Sequence, residues 1–363
     1  MQNFQTRRES PLQFERIRRR ARRGNFLIIA ALVMVILLGF GVLVIDVGSA
    51  QNSRAELQAA SDASALTAVK IMDGTAAGLT SARTLAGTIA SNNLIAGTPF
   101  ALSSRVDATL DLGRWVNNAF VNDASNPALV VAARITGRRS TLPTFFAPLL
   151  GGGDTLAVRS STVALGGGPI GAACPMPIAI PVCALPTGSA VCNYNLQLGP
   201  DGGDNGAWAR IGGGRPSAQT VRSAISGCTN ASTTSDTVSL NNGQIASASG
   251  DVAAQISNSS ELWNTSAWGA EPAQANRSGV TRYGRVYHTA VIVFQGSAGS
   301  CNGQKYTGTG YPVLGFASGV AYDAVTTGPA AQRTISMRLV CETTQQVGGG
   351  RYFGARAPLA LVQ

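Results

Sequence analysis

The sequence predicts an α+β protein: a single N-terminal transmembrane helix extended outside the membrane, followed by a β-rich, disulfide-braced exported region. Three observations predict it. Eight arginines fall within the first 23 residues, directly before an uncharged apolar run from Phe26 to Ile45. All six cysteines lie beyond residue 170. The pattern also changes from helical continuity before Pro99 to apolar/polar alternation after it.

The apolar run is about twenty residues long, which at ~1.5 Å per residue spans the ~30 Å hydrocarbon core of a bilayer. Setting Glu9 and Glu15 against the eight arginines leaves 8 − 2 = +6 on the tail, so most of the formal +10 precedes the span. Positive charge next to a span stays cytoplasmic, which places residues 1–25 inside and everything after Asp46 outside. Basicity confined to a tail also argues against nucleic acid as a partner, since such binding needs Lys and Arg spread over a folded face. Gly48-Ser49-Ala50 resembles a signal-peptide cleavage site. The run is longer than a signal core, however, and strongly helix-forming residues follow it (Ser53 to Ala60), which predicts a retained anchor.

No proline occurs between Phe26 and Asp73, so the helix is expected to continue to Asp73-Gly74. Its outer part is rich in alanine and serine, a narrow face suited to close contact with a neighbouring helix rather than to a large core of its own. A second helix is expected over Thr80–Asn92, ended by a turn at Gly97-Thr98-Pro99. Strands are expected at Val106–Leu112, Leu129–Ile135 and Leu156–Leu165, with a short turn or helix at Leu142–Phe146. Gly166-Gly167-Gly168-Pro169 closes this segment. The predicted organisation is therefore a basic tail (1–25), a span (26–45), a juxtamembrane helical region (46–98), a small β-containing subdomain (99–168) and a cysteine-containing β-rich region (169–363). In the last, periodicity is weak from Gly199 to Gly279 and returns at Gly284–Phe294, Tyr311–Tyr322 and Arg333–Cys341.

Cys174, Cys183, Cys192, Cys228, Cys301 and Cys341 form an even set confined to the exported portion, which reads as disulfides in an oxidising compartment. Fifteen pairings are possible and the sequence does not choose among them. Metal-ligand spacing such as C-x-x-C is absent.

Catalytic and ligand motifs are sparse, and no cofactor is expected. The one histidine, His288, alternates onto the face of Val286, Ala290 and Ile292, the position of a structural or interfacial side chain. No G-x-S-x-G elbow supports a Ser/His/Asp hydrolase. Asp201-Gly202-Gly203-Asp204 lacks the ligand spacing of a calcium loop, with Gly203 and Gly212 where oxygen ligands belong. The glycine triplets do not lead into Gly-Lys-Ser/Thr, so they are not phosphate cradles. Asp62-Ala63-Ser64-Ala65 starts like a metal-dependent adhesion motif but has Leu66 in place of its second serine. Asn230, Asn258, Asn264 and Asn276 begin N-x-S triplets. Scarce lysine (Lys70 and Lys305) beside abundant arginine suits a GC-rich bacterial genome, where such triplets are coincidental.

One stretch carries a resemblance. Arg23-Gly24-Asn25, then Asp46 and Gly48, Leu57-Gln58, Ala60, and Asp62-Ala63-Ser64-Ala65-Leu66 resemble the N-terminal segment of the TadE/TadG-like Flp pilus-assembly family. The family implies a non-enzymatic, pseudopilin-like protein of the bacterial inner membrane that works with other pilus-assembly proteins. Gly24, Asp46, Gly48, Leu57, Gln58, Asp62 and Leu66 are then the assembly motif. On physical grounds Asp46 or Asp62 would pair with an arginine or N-terminal amine of a neighbouring subunit, or both are solvated helix charges. Ile29 stands where pilin-type processing wants a glutamate, and no motif of a von Willebrand type A metal site is present. A membrane-anchored envelope enzyme and a surface binding or adhesin module are the alternatives.

Overall fold

The structure is a computed structural model that describes residues 12–102, 108–199, 206–228, 231–241, 246–272, 284–296, 301, 306–329, 332–345 and 348–362. In chain order, helices α1 (Leu12–Ile71) and α2 (Ala76–Ser91) precede strands β1 (Leu94–Ile95), β2 (Thr98–Pro99), β3 (Ala108–Val116), β4 (Ala119–Val121), β5 (Ala132–Pro143) and β6 (Thr155–Leu165). There follow β7 (Gly171–Ala172), β8 (Pro175–Pro181), β9 (Asn195–Leu198), β10 (Ala207–Ile211), α3 (Ala218–Gly227), β11 (Ser232–Thr233) and β12 (Thr237–Asn241). The chain ends with α4 (Ala246–Asn258), α5 (Thr265–Trp268), β13 (Tyr287–Phe294), β14 (Gly308–Ala324), β15 (Ile335–Val340) and β16 (Ala360–Val362). Two compact units result, Met1–Glu56 with Arg138–Arg159, and Leu57–Gly137 with Ser160–Gln363.

Helix α1 contains the apolar run, and the segment from Phe26 onward is long and apolar enough to be a candidate membrane span. Its residues there are exposed, Phe26 to 74 % and Leu37 to 64 %, as a lipid-facing surface requires. Helix α2 begins four residues before the expected Thr80, because the Thr75 side chain caps it by accepting from Gly78 N–H. The β1–β2 hairpin turns through Ala96 and Gly97, and β3–β4 through Asn117 and Asn118, all at positive φ, the pairing favoured in two-residue hairpins.

The first sheet has the order β16-β6-β5-β3-β4. Val106 and Asp107 of the strand expected there lie outside the described residues, and the described part begins at Ala108. The predicted turn at Leu142–Phe146 is corrected: β5 continues to Pro143, and a 3₁₀ turn follows at Ala147–Leu150. The terminal strand β16 pairs with Val163–Leu165 of β6, so this sheet draws on both ends of the post-helical chain.

The second sheet has the order β12-β10-β8-β13-β14-β15-β9, and β12 also pairs with β14. That extra pairing closes β12, β10, β8, β13 and β14 into a ring, while β15 and β9 extend from β14 and leave β9 at the edge. Ala179, Ala209, Leu240, Ile292, Phe294 and Phe316 cluster on one side of it. On the other, α3 and α4 contribute Val221, Ile225, Val252 and Ile256 to a core with Ile178, Val291, Val293 and Met337. The residues of β13 alternate between the two clusters, as a strand buried on both faces demands.

Three disulfides join Cys174–Cys228, Cys183–Cys301 and Cys192–Cys341. They cross 54, 118 and 149 residues respectively, tying together loops and helix ends that are remote in sequence. The Asp201–Asn205 stretch, Asn230, Asn276 and Lys305 lie outside the described residues. Asn264 serves as a helix cap, accepting from Ala267 N–H.

Candidate functional site

The motif residues fall into two separate arrangements along α1. In the first unit, Asp46 stands one residue beyond the apolar run. Its Oδ1 accepts from the Phe145 N–H (2.8 Å), and its Oδ2 accepts from Phe146 (3.0 Å) and Ala147 (2.7 Å). These are the amides that open the 3₁₀ turn, which have no partner inside the turn itself. Three such donors favour the charged carboxylate. Gly24 and Gly48 also lie in α1, and the position a Cβ would occupy on Gly48 has no neighbour within 4 Å.

In the second unit the buried positions of α1 recur as Leu57, Ala60, Ser61, Ser64, Ala65, Ala68 and Val69, the three- and four-residue spacing of one helix face. Gln58 Nε2 donates to Asp62 Oδ1 (2.8 Å) and to Thr162 Oγ1 (2.8 Å), while Thr162 Oγ1 donates to Asp62 Oδ1 (2.7 Å). Ser61 Oγ lies 2.8 Å from Ser160 Oγ. A Cβ on Gly137 would stand 2.7 Å from Ser160 Oγ and 3.0 Å from Leu57 Cδ1, so glycine is what permits this close approach. Leu66 is half-buried.

This corrects one expectation. The alanine and serine face of outer α1 is covered by its own chain, because small side chains let a strand press against the helix as readily as they would admit a second helix. Asp46 and Asp62 each take partners within the chain.

A second polar cluster surrounds His288 in a cleft of about 320 Å³. Its Nε2 is 2.6 Å from Glu342 Oε1 and 2.8 Å from Ser318 Oγ, and its Nδ1 is 3.4 Å from Glu261 Oε1. Ser318 Oγ also donates to Glu342, and the Trp268 ring packs edge-on against the imidazole. Burial pulls the imidazole down, but the hydrogen bond and charge of Glu342, with the charge of Glu261, outweigh it and raise His288 above its ordinary value. Burial likewise pushes Glu342 up, and the bonds from His288 and Ser318 more than reverse it. Glu261 and Glu342 lie far from His288 in sequence, so no local motif announced this cluster.

The consequence for stability has a definite sign. The raised histidine contributes fully below the unfolded imidazole value of about 6.5 and loses its contribution as pH climbs through the folded value. The lowered glutamate contributes above about 4.3 and loses as pH falls through its folded value. Thermal unfolding followed from pH 6 to pH 8 should therefore show a decline in the native protein that His288→Asn flattens. Parallel profiles for the two proteins would contradict this.

Among the described residues, no group of three or more His, Cys, Asp or Glu is placed to hold a metal ion. The class defined by this architecture is an α+β protein with one candidate membrane-spanning helix, whose outer face is fastened into its own chain, and with three disulfides. Residues 24–77 match a protein-family model described as putative Flp pilus-assembly, TadE/G-like, which covers the span and every motif residue named above. Neither the curated proteins nor the solved structures yield a match to the chain.

Proposed function

We propose that the protein is a non-enzymatic, pseudopilin-like component of Flp (Tad) pilus assembly. It is held in the bacterial inner membrane by residues 26–45, with its N-terminus in the cytoplasm and its α+β region in the periplasm. The observation that carries this reading is the family match over residues 24–77 on a helix that runs through the apolar stretch and onward to Ile71. The arginines before Phe26 support the orientation, and three disulfides suit an oxidising compartment. The exposed apolar surface of α1 meets lipid and other pilus-assembly proteins. Deleting the gene should abolish surface Flp pili without slowing growth, and a plasmid copy should restore them. Normal piliation in the deletion strain would overturn the reading.

The neighbourhood of Ser318, His288 and Glu261 invites a hydrolase reading, and two features argue against it. The Ser318 hydroxyl is committed to Glu342. Ser318 also sits mid-strand, opposite Ala290 on one side and Val340 on the other, where the backbone is engaged in ladders rather than free to stabilise an oxyanion. A fluorophosphonate probe should leave Ser318 unlabelled.

A further inference from the structure

The chain holds a second apolar surface close to the outer end of the span. The connection between β5 and β6 carries Phe145-Phe146-Ala147-Pro148, and Phe145 is 63 % exposed. Its neck is closed by Thr144, whose N–H donates to the Asp154 carbonyl (3.1 Å) and whose hydroxyl donates to the Gly153 carbonyl (2.7 Å). Asp46 fixes the tip of this loop to α1 one residue past Ile45. Val44, Ile45 and Val47, on either side of Asp46, are themselves exposed.

Five amides of the loop find partners within the chain. The amides of Phe145, Phe146 and Ala147 donate to Asp46, Gly151 to the Pro148 carbonyl, Gly152 to the Ala147 carbonyl, and Pro148 has no N–H to satisfy. A surface loop in water has no need of this, since solvent would serve those donors. A segment entering lipid must meet them internally, because the hydrocarbon offers no partner. The same bonds surround the one carboxylate that the helix carries at that depth, where an unpartnered charge is costly.

Charge follows the same geometry. Exposed Arg54 lies eight residues beyond Asp46, about 12 Å along a helix. Exposed Arg138 lies five residues before Pro143, about 17 Å up its strand. An apolar tip with arginines at that remove matches the profile of an interfacial anchor, with hydrocarbon at the tip and anionic headgroups above it.

We propose that the Thr144–Gly152 loop is a second membrane contact, seated in the outer leaflet beside the span and clamped to it by Asp46. The proposal rests on residues 26–45 crossing the bilayer. It is tested on the full chain reconstituted into phosphatidylcholine/phosphatidylglycerol vesicles, with an environment-sensitive fluorophore at Phe145→Cys, at Leu37→Cys within the span, or at Arg138→Cys, and quenching by acyl-chain-brominated lipid is read. Quenching at position 145 close to that at 37, and several-fold above that at 138, is the expected result. Quenching at 37 with none at 145 overturns the loop contact alone. Absence of quenching at 37 overturns the anchor reading, and the loop proposal with it.

Discussion

Replacing Cys192 and Cys341 together by serine is expected to destabilise the protein by roughly 2–5 kcal/mol, a large share of the 5–15 kcal/mol typical of a folded domain. The crosslink spans 149 residues, the widest of the three, and the chain-entropy cost of leaving it open grows with that length. Cys183–Cys301 overlaps the same stretch, with Cys301 inside it and Cys183 just before it, and shortens the free path, which moderates the loss without removing it. The bond also secures the strand at the edge of the second sheet. Among the described residues β9 pairs only with β15, and Cys192 and Cys341 lie just outside those two strands. Denaturant titration of the full chain in detergent, native against the double serine variant, measures the difference. Coincident transitions would contradict it. Reductant should act in the same direction on the native protein.

Leu57→Ala should cost about 2–5 kcal/mol. Leu57 is fully buried, packed so closely that its Cδ1 would lie 3.0 Å from a Cβ on Gly137. Truncation removes that packed volume, whereas Leu66→Ala, at a half-buried position, should cost less. Denaturation midpoints of the two variants order these losses, and equal midpoints would show that Leu57 is not the packed residue of the motif.

Much of the fold could be read from the residues because its signals are local. The absence of proline from Phe26 to Asp73 marked α1, and alternation marked β6, β13, β14 and β15 to within a few residues. Helices α3 and α4 escaped notice because Ser, Gly and Ala dilute their apolar faces. The signal was the four-residue spacing of Val221 to Ile225 and of Val252 to Ile256. Strand β8 escaped for the opposite reason: Pro175, Pro177 and Pro181 argue against a central strand. The chain accommodates them because β10 pairs only with Ile178 and Ala179, and the register against β13 shifts around Pro177. The disulfide pairing and the His288 cluster depend on distant residues and had no sequence signal.

The motif shows the limit most clearly. Asp46, Leu57, Gln58 and Asp62 were recognisable as a set, but their partners lie about a hundred residues away, at Phe145–Ala147, Gly137 and Thr162. Spacing along a helix records that a face is used, and it does not record by what. Small residues and a lone carboxylate suit a neighbouring subunit and the chain's own strand equally well, and only the tertiary contacts separate the two.

This motif fastens the helix into its own chain, and thermal unfolding of the purified full chain carrying Asp62→Ala, reconstituted in nanodiscs with no other protein present, puts that to the test. A lower midpoint than the native chain is expected, since Gln58 and Thr162 each lose the Asp62 acceptor. An unchanged midpoint, in a variant that nevertheless fails to restore pili, would place Asp62 at a contact between subunits and contradict it.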